Sequence, residues 1–224
     1  MSATLPSLLK KRLADAIGND TVIKAEPKLY VDFQRHELRL RDGEILSKFT
    51  LDEIAGKALN GKSILVCCNT VKRAQHAFKE IQDRLGLKVE AVLLHGRFNG
   101  KDRLDKEEII KKATGSKSDQ RKAIVLIATQ VVEVSLDIDL NMIYTDPAPL
   151  EALLQRFGRV NRRREKTSAP VFVFREPADG QRIYKEEIVQ KALEVLDKNN
   201  GKMIDEACTS VACQFCCKFH SNIQ

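Results

Sequence analysis

Between Ala123 and Arg163 the chain concentrates side chains suited to a phosphorylated ligand. Asp137 and Asp139 offer carboxylates that only accept hydrogen bonds. Thr129, Gln130 and Gln155 offer neutral polar groups, and Arg159 and Arg162 offer guanidinium groups. An arginine fork can place two parallel N–H donors on phosphate oxygens. Two arginines three residues apart, read here as lying on one face of a helical turn, are therefore well suited to grip a phosphate.

These groups can act together only if strands and turns deliver them to one place. The apolar run Ala123–Ala128 has the length and β-branched content of a buried strand, and Met142–Tyr144 is a second, shorter one. A helix over Leu150–Phe157 leads into Gly158, Arg159 and Arg162. Along the rest of the chain, apolar spacing predicts a helix at Ser7–Ile17 and a strand at Lys28–Phe33. A hairpin is predicted around Asp42-Gly43, joining residues 36–41 to residues 44–49. A helix at Leu51–Leu59, a strand at Ser63–Cys68, a helix at Val71–Leu85 and a strand at Lys88–Leu94 come next. They are followed by a helix at Asp102–Ala113 and, beyond Leu150–Phe157, a strand at Pro170–Phe174. Two further helices are read at Ile183–Leu196 and Met203–Phe219. Strands alternating with helices define an α/β class: a parallel sheet flanked by helices, with a C-terminal helical extension. In open parallel sheets ligands bind beyond the carboxyl ends of strands. Asn69-Thr70, His95-Gly96-Arg97 and Thr129-Gln130 each directly follow a strand and so converge on one shared site.

The 224 residues suffice for one large domain, and a net charge of +7 favours an anionic partner such as nucleic acid. No apolar run reaches the length of a membrane span and no signal peptide is seen, so the reading is no membrane and a cytoplasmic location. Cys67 and Cys68 read as small core residues inside a strand. The spacing Cys213-x₂-Cys216-Cys217-x₂-His220 could ligate a metal, but no second matching pair accompanies it, so no metal site is assigned. His36 and His76 are left as surface residues, and His95 reads equally as a nucleic-acid contact or a backbone-bonded loop histidine. Gly56–Ser63 matches the letters of a phosphate-binding P-loop. A working P-loop follows a strand and opens a helix, whereas this segment closes a helix and feeds a strand.

The wording of the central stretch resembles known motifs. Ala128-Thr-Gln-Val-Val-Glu-Val-Ser-Leu-Asp-Ile-Asp139 resembles motif V of superfamily 2 helicases, and Gln155-Arg-Phe-Gly-Arg-Val-Asn-Arg162 resembles motif VI. Ile64–Thr70 is similar to motif IV, Leu94–Phe98 to the segment after it, and Ser2-Ala-Thr4 to motif III. Together they resemble the second RecA-like domain of the helicase component of the CRISPR-associated type I helicase–nuclease. The resemblance implies arginine fingers at Arg159 and Arg162, with Gln155 near the phosphates or the attacking water. It also implies a ribose contact at Asp137 and an ATP-side position for Gly158. Asn69, Thr70, Arg97, Thr129 and Gln130 would contact nucleic-acid phosphates, and Ser2 and Thr4 would couple nucleotide state to strand movement.

What the resemblance demands and the sequence lacks is a P-loop and an acidic strand end in working context. Residues 1–22 thus read as motif III and the junction from a first RecA-like domain, and 23–50 as a strand and hairpin leading in. Residues 51–178 read as the RecA-like helicase C-terminal domain, and 179–224 as C-terminal helices with a Cys-rich end. ATP and Mg²⁺ would be bound mainly by the first domain. Implied partners are that domain, single-stranded DNA, a nuclease domain or subunit and a CRISPR effector complex. Alternatives are another superfamily 2 DNA or RNA helicase, or a non-catalytic nucleic-acid-binding module. Phosphoryl transfer depends on positioning and electrostatics from both walls of a cleft. The chain by itself should therefore show no DNA-stimulated ATP hydrolysis above background in a phosphate-release assay; measurable turnover by the pure chain would refute the half-cleft reading.

Overall fold

Six strands lie side by side in the order β1-β6-β5-β2-β4-β3, every pair parallel. They are β1 (His36–Arg41), β2 (Ile64–Cys67), β3 (Glu90–Leu94), β4 (Ile124–Ala128), β5 (Met142–Thr145) and β6 (Ala169–Phe174). The structure is a computed structural model that describes residues 7–18, 34–134, 136–178 and 180–204. The described helices are α1 (Ser7–Ile17), α2 (Lys48–Leu59), α3 (Val71–Leu85), α4 (Gly100–Thr114), α5 (Leu150–Phe157) and α6 (Glu186–Asp197).

The near-continuous apolar strands are explained by burial on both faces, as parallel sheets require. Alternate side chains split each strand between two cores. Leu65 and Cys67 of β2, with Ile124, Leu126 and Ala128 of β4, pack on the side of α4, α5 and α6. Ile64 and Val66 of β2, with Val125 and Ile127 of β4, pack on the side of α2 and α3. Cys67 and Cys68 are fully buried free thiols, as their apolar setting suggested. Burial pushes the Cys67 thiol up to about 12, which leaves it protonated and unreactive.

The hairpin expected around Asp42-Gly43 does not form. Instead β1 pairs in parallel with β6, from His36 opposite Ala169 to Arg41 opposite Phe174. The chain does turn at Gly43, whose φ of 78° suits glycine. It turns into a helix, because the Ser47 hydroxyl accepts the Thr50 N–H and caps α2, whose buried Leu51, Ile54, Ala55 and Ala58 recur at helical spacing. β1 is therefore an edge strand of the main sheet and not a lead-in to it. Its free edge is covered by the C-terminal segment: Leu38 N–H donates to the Lys202 carbonyl, and the amides of Gly201 and Ile204 donate to Leu38 and His36. Met203 and Ile204 thus lie extended against β1 and do not start the helix expected from Met203. The remainder of that helix lies outside the described residues, as do the expected strand at Lys28–Phe33, Ser2, Thr4, Cys213, Cys216, Cys217 and His220.

Leu65 sits at the centre of this sheet with no exposed surface, so Leu65→Ala should lower unfolding free energy by about 2–5 kcal/mol in urea titrations. Leu87→Ala, at a fully exposed position, should change it by less than about 0.5 kcal/mol.

Candidate functional site

Because all strands are parallel, their carboxyl ends share one edge, and the three polar clusters read from the sequence do meet there. Thr70 caps α3 by accepting the Arg73 N–H at 3.3 Å. Asn69 is buried; its side-chain amide donates to the Pro147 carbonyl at 2.7 Å and its carbonyl oxygen accepts from Arg156 at 3.1 Å. Gln130 donates to the Asn69 carbonyl at 2.7 Å. Thr129 is buried, with its N–H on the Leu94 carbonyl. His95 is the backbone-bonded loop histidine: its Nδ1 accepts the Arg97 N–H at 3.2 Å, and its ring stacks on Phe98 with centroids 4.1 Å apart. Arg97 itself is exposed at this edge, whereas Asn69 and Thr129 are enclosed and shape the edge from beneath.

Under this edge lies a residue to which the sequence reading gave no role. Arg156 is fully buried. Its Nε donates to Glu133 at 2.9 Å, its Nη1 to the Thr145 hydroxyl at 2.8 Å, and its Nη2 to Asn69 and to the Tyr184 hydroxyl at 3.2 Å. Beside it Asp146, also fully buried, takes a two-pronged bond from Arg73 at 3.0 Å on each oxygen and accepts the Asn69 N–H at 2.9 Å. The signal for Arg156 was present in its spacing. Leu150, Leu153 and Phe157 mark the buried face of α5, and Arg156, three residues after Leu153, falls on that face.

Of the remaining predicted residues, Asp137, Arg159 and Arg162 lie at the other end of the sheet. After β4 the chain forms a short 3₁₀ turn, Gln130–Glu133, and then runs back towards the amino ends of the strands. There Leu140 N–H bonds to the Arg159 carbonyl, Asn161 N–H bonds to the Leu140 carbonyl, and Asn141 N–H bonds to the carbonyl of Ser63, the residue before β2. Asp137, Arg159 and Arg162 therefore share a rim at the opposite edge from Asn69, Thr70, Arg97 and Thr129. The arginines are not on a helical face: α5 stops at Phe157, and Gly158 caps it with its N–H on the Leu154 carbonyl. A side chain at Gly158 would come to 3.3 Å from the Gln155 carbonyl, a tight approach. Arg159 turns inward and donates to the carbonyls of Leu136 at 2.7 Å and Glu133 at 2.8 Å, leaving its buried Nε without a partner. Arg162 is 44% exposed and pairs at 3.2 Å with Asp137, which is 50% exposed and also accepts from the Ser116 hydroxyl at 2.7 Å. Gln155 is half-buried on α5, between the two edges.

Two further sequence readings are settled by hydrogen bonds. In Gly56–Ser63 the amides of Asn60, Gly61 and Lys62 donate to Gly56, Ala58 and Lys57 carbonyls, so no phosphate cradle exists there. His36, expected at the surface, is buried against the arginine loop, its Nε2 donating to the Val160 carbonyl at 2.9 Å. Burial pushes its pKa down to about 4 against the opposing effect of that bond.

A parallel six-stranded sheet in this order, flanked by helices and with a polar segment linking both of its edges, is a RecA-like fold. The comparisons give the particular kind. Residues 60–165 match the Cas3-like family described as "CRISPR-associated nuclease/helicase Cas3, C-terminal". A Cas3-type nuclease/helicase of Methanocaldococcus jannaschii is 34% identical over 169 residues, covering 73% of this chain and 22% of that protein. The Cas3 of Methanothermobacter thermautotrophicus is 25% identical over 92% of this chain and 25% of its own length. The fold matches T. fusca Cas3 with AMPPNP at a TM-score of 0.73 and 24% identity, over 91% of this chain and 25% of that one. It also matches S. cerevisiae Dbp5, solved with RNA and ADP BeF3, at a TM-score of 0.62 and 15% identity, over 97% of this chain and 53% of that one. The chain belongs to the Cas3 family as a C-terminal helicase domain, spanning about a quarter of the length of the relatives it matches.

Removing one partner from a buried ion pair strands the others. Arg156→Ala should therefore cost about 3–5 kcal/mol in denaturant unfolding, more than truncating any surface arginine. His36 gives a pH dependence. Its folded pKa lies below its unfolded value of 6.5, so the unfolded state binds the extra proton and stability falls as pH drops from 6.5 towards 4. Fully expressed, the loss is about 3 kcal/mol. His95, whose pKa burial also lowers, adds in the same direction. Glu53, held down to about 2 by bonds from Arg41, Lys57 and Tyr144 that outweigh its burial, loses stability only below its unfolded value of 4.5. Thermal midpoints of His36→Gln should thus fall less than those of the parent between pH 6.5 and 4.5.

Proposed function

We propose that this chain supplies the arginine-bearing wall of an ATP cleft in a DNA translocase of CRISPR interference, the opposite wall being a P-loop RecA-like domain. The observation that carries the reading is the exposed Arg162–Asp137 pair on a rim built from the two helicase motif segments. An exposed pair of this kind is worth about 0–1 kcal/mol, so a nucleotide can displace it at little cost. Arg162 would then leave Asp137 for the phosphates, and Asp137 would accept from a ribose hydroxyl. Arg162, with Arg159 beside it, would act as arginine finger, placing positive charge where negative charge shifts during phosphoryl transfer. Gln155 orients groups near the phosphates, and Gly158 allows the chain to approach the nucleotide. ATP and Mg²⁺ are held mainly by the P-loop wall.

The carboxyl edge serves the nucleic acid. Thr70, Arg97 and Gln130 contact single-stranded DNA through its phosphates, with the enclosed Asn69 and Thr129 fixing their platform. Such contacts position a strand without reading its sequence. The net charge of +7 supports this assignment. A nuclease domain or subunit and a CRISPR effector complex are the partners consistent with the family.

Mixing the chain with a separately supplied P-loop half and single-stranded DNA should restore ATP hydrolysis. Arg162→Ala should then lower kcat by about 10³-fold while leaving the salt dependence of DNA binding unchanged. Salt-sensitive DNA binding with no hydrolysis on mixing would instead make the chain a non-catalytic binding module.

A further inference from the structure

The loop from Arg159 to Arg164 has almost no regular secondary structure, yet its backbone is bonded on three sides. Leu140 and Val160 form a single parallel bridge, with both N–H···O distances at 3.0 Å. His36 holds the Val160 carbonyl. Asn161 takes a left-handed conformation, φ 49°, which asparagine tolerates better than most residues. Its side-chain amide brackets Lys166, donating to the carbonyl at 2.8 Å and accepting the N–H at 3.3 Å. After Asn161 the next two backbone N–H groups point the same way, and both end on one carboxylate. Asp139 Oδ1 accepts from Arg162 at 2.7 Å and Oδ2 accepts from Arg163 at 3.2 Å.

Asp139 is 3% exposed. A carboxylate so enclosed is costly unless its charge is met, and Arg121 meets it. That guanidinium donates to Oδ2 at 3.3 Å and to the Asp139 carbonyl at 2.7 Å. The Asp139 N–H donates in turn to Thr114 at the end of α4, so the carboxylate stands on a fixed base. Two residues upstream, across the buried Ile138, Asp137 takes the Arg162 guanidinium. One arginine is thus held by its backbone and by its charged tip, from two aspartates two residues apart.

We propose that Asp139 is the positioning residue of the arginine loop. By accepting two successive backbone N–H groups it fixes where the Arg162 side chain leaves the chain, while Asp137 is the exchangeable contact at the tip. Asp139 touches no reacting atom and acts through Arg162. The inference rests on Arg162 acting at the nucleotide, as proposed above, but the clamp itself can be read without any activity.

Limited trypsin digestion of the full chain, mapped by mass spectrometry, provides the activity-free readout. Asp139→Ala should raise cleavage after Arg162, Arg163 and Arg164 by about tenfold, because proteolysis follows the population of the opened loop. Bonds after Arg84 and Lys101, remote in the chain, should keep their parent rates. Asp139→Asn keeps the shape and one acceptor, so it should fall between parent and Ala; if the Ala chain fails to fold, this variant decides. Unchanged loop cleavage would overturn the clamp. So would an equal rise at every Lys and Arg bond, which would make Asp139 a general stability residue.

With the P-loop half added, Asp139→Ala should lower kcat by about 10-fold to 10²-fold with KM for ATP within about twofold. Asp139→Ala combined with Arg162→Ala should be no slower than Arg162→Ala alone. Losses that multiply would mean that Asp139 acts elsewhere and would overturn the proposal. If the parent mixture shows no hydrolysis, it is the ATP-cleft reading that fails, and the trypsin pattern still decides the clamp.

Discussion

A single buried guanidinium holds the working parts of this domain together. Arg156 has no exposed surface and reaches the ends of β2 and β5, the turn after β4 and Tyr184 of the C-terminal segment. Each of those groups would be left with an unmet hydrogen bond in a low-dielectric interior if the arginine moved. A planar fork with five donors is the side chain able to satisfy so many acceptors in fixed directions. The Arg73–Asp146 pair beside it ties α3 to the same strand end. The carboxyl edge is consequently a rigid polar floor, with Thr70, Gln130 and the exposed Arg97 set upon it or around it.

The segment from Thr129 to Asp139 gives that floor its second purpose. Most strand-to-strand crossovers in such sheets are helices, but here the chain returns from β4 to β5 as one short turn and an extended stretch. It therefore passes along α5 with its carbonyls free to accept from Arg159 and its aspartates free to meet the arginine loop. One stretch of about ten residues thus has its first end at the carboxyl edge of the sheet and its last at the arginine rim. Glu133 is the midpoint, bonding Arg156 through its side chain and Arg159 through its carbonyl.

Much of this could be read from residue order. Apolar runs flanked by turn residues placed β2, β4, β5 and β6, and the motif wording grouped Asp137, Arg159 and Arg162, which the fold brings to one rim. The failures have physical causes. Asp42-Gly43 reads as a hairpin because two-residue periodicity flanks it locally, but the decision between hairpin and parallel pairing is made by β6, more than a hundred residues later. His36 reads as a surface residue because no partner for it lies nearby in sequence; its burial comes from the arginine loop and Phe157, whose ring centroid lies 6.2 Å away. Arg159 and Arg162 have helical spacing, but the helix stops at Phe157 with Gly158 as its cap, and the left-handed Asn161 keeps the chain between the two arginines off a helical path. Asp139 and Asp146, which the fold also encloses, carry little local sign of burial because their partners are distant in sequence.

Hydrogen–deuterium exchange on the chain, with a P-loop half and a non-hydrolysable ATP analogue, tests the two-edged account most directly. Nucleotide added without DNA should slow exchange in residues 136–139 and 158–164, and single-stranded DNA should then slow residues 69–73 and 95–100. Nucleotide protection falling on Gly56–Ser63, or on the carboxyl edge instead of the arginine rim, would contradict it.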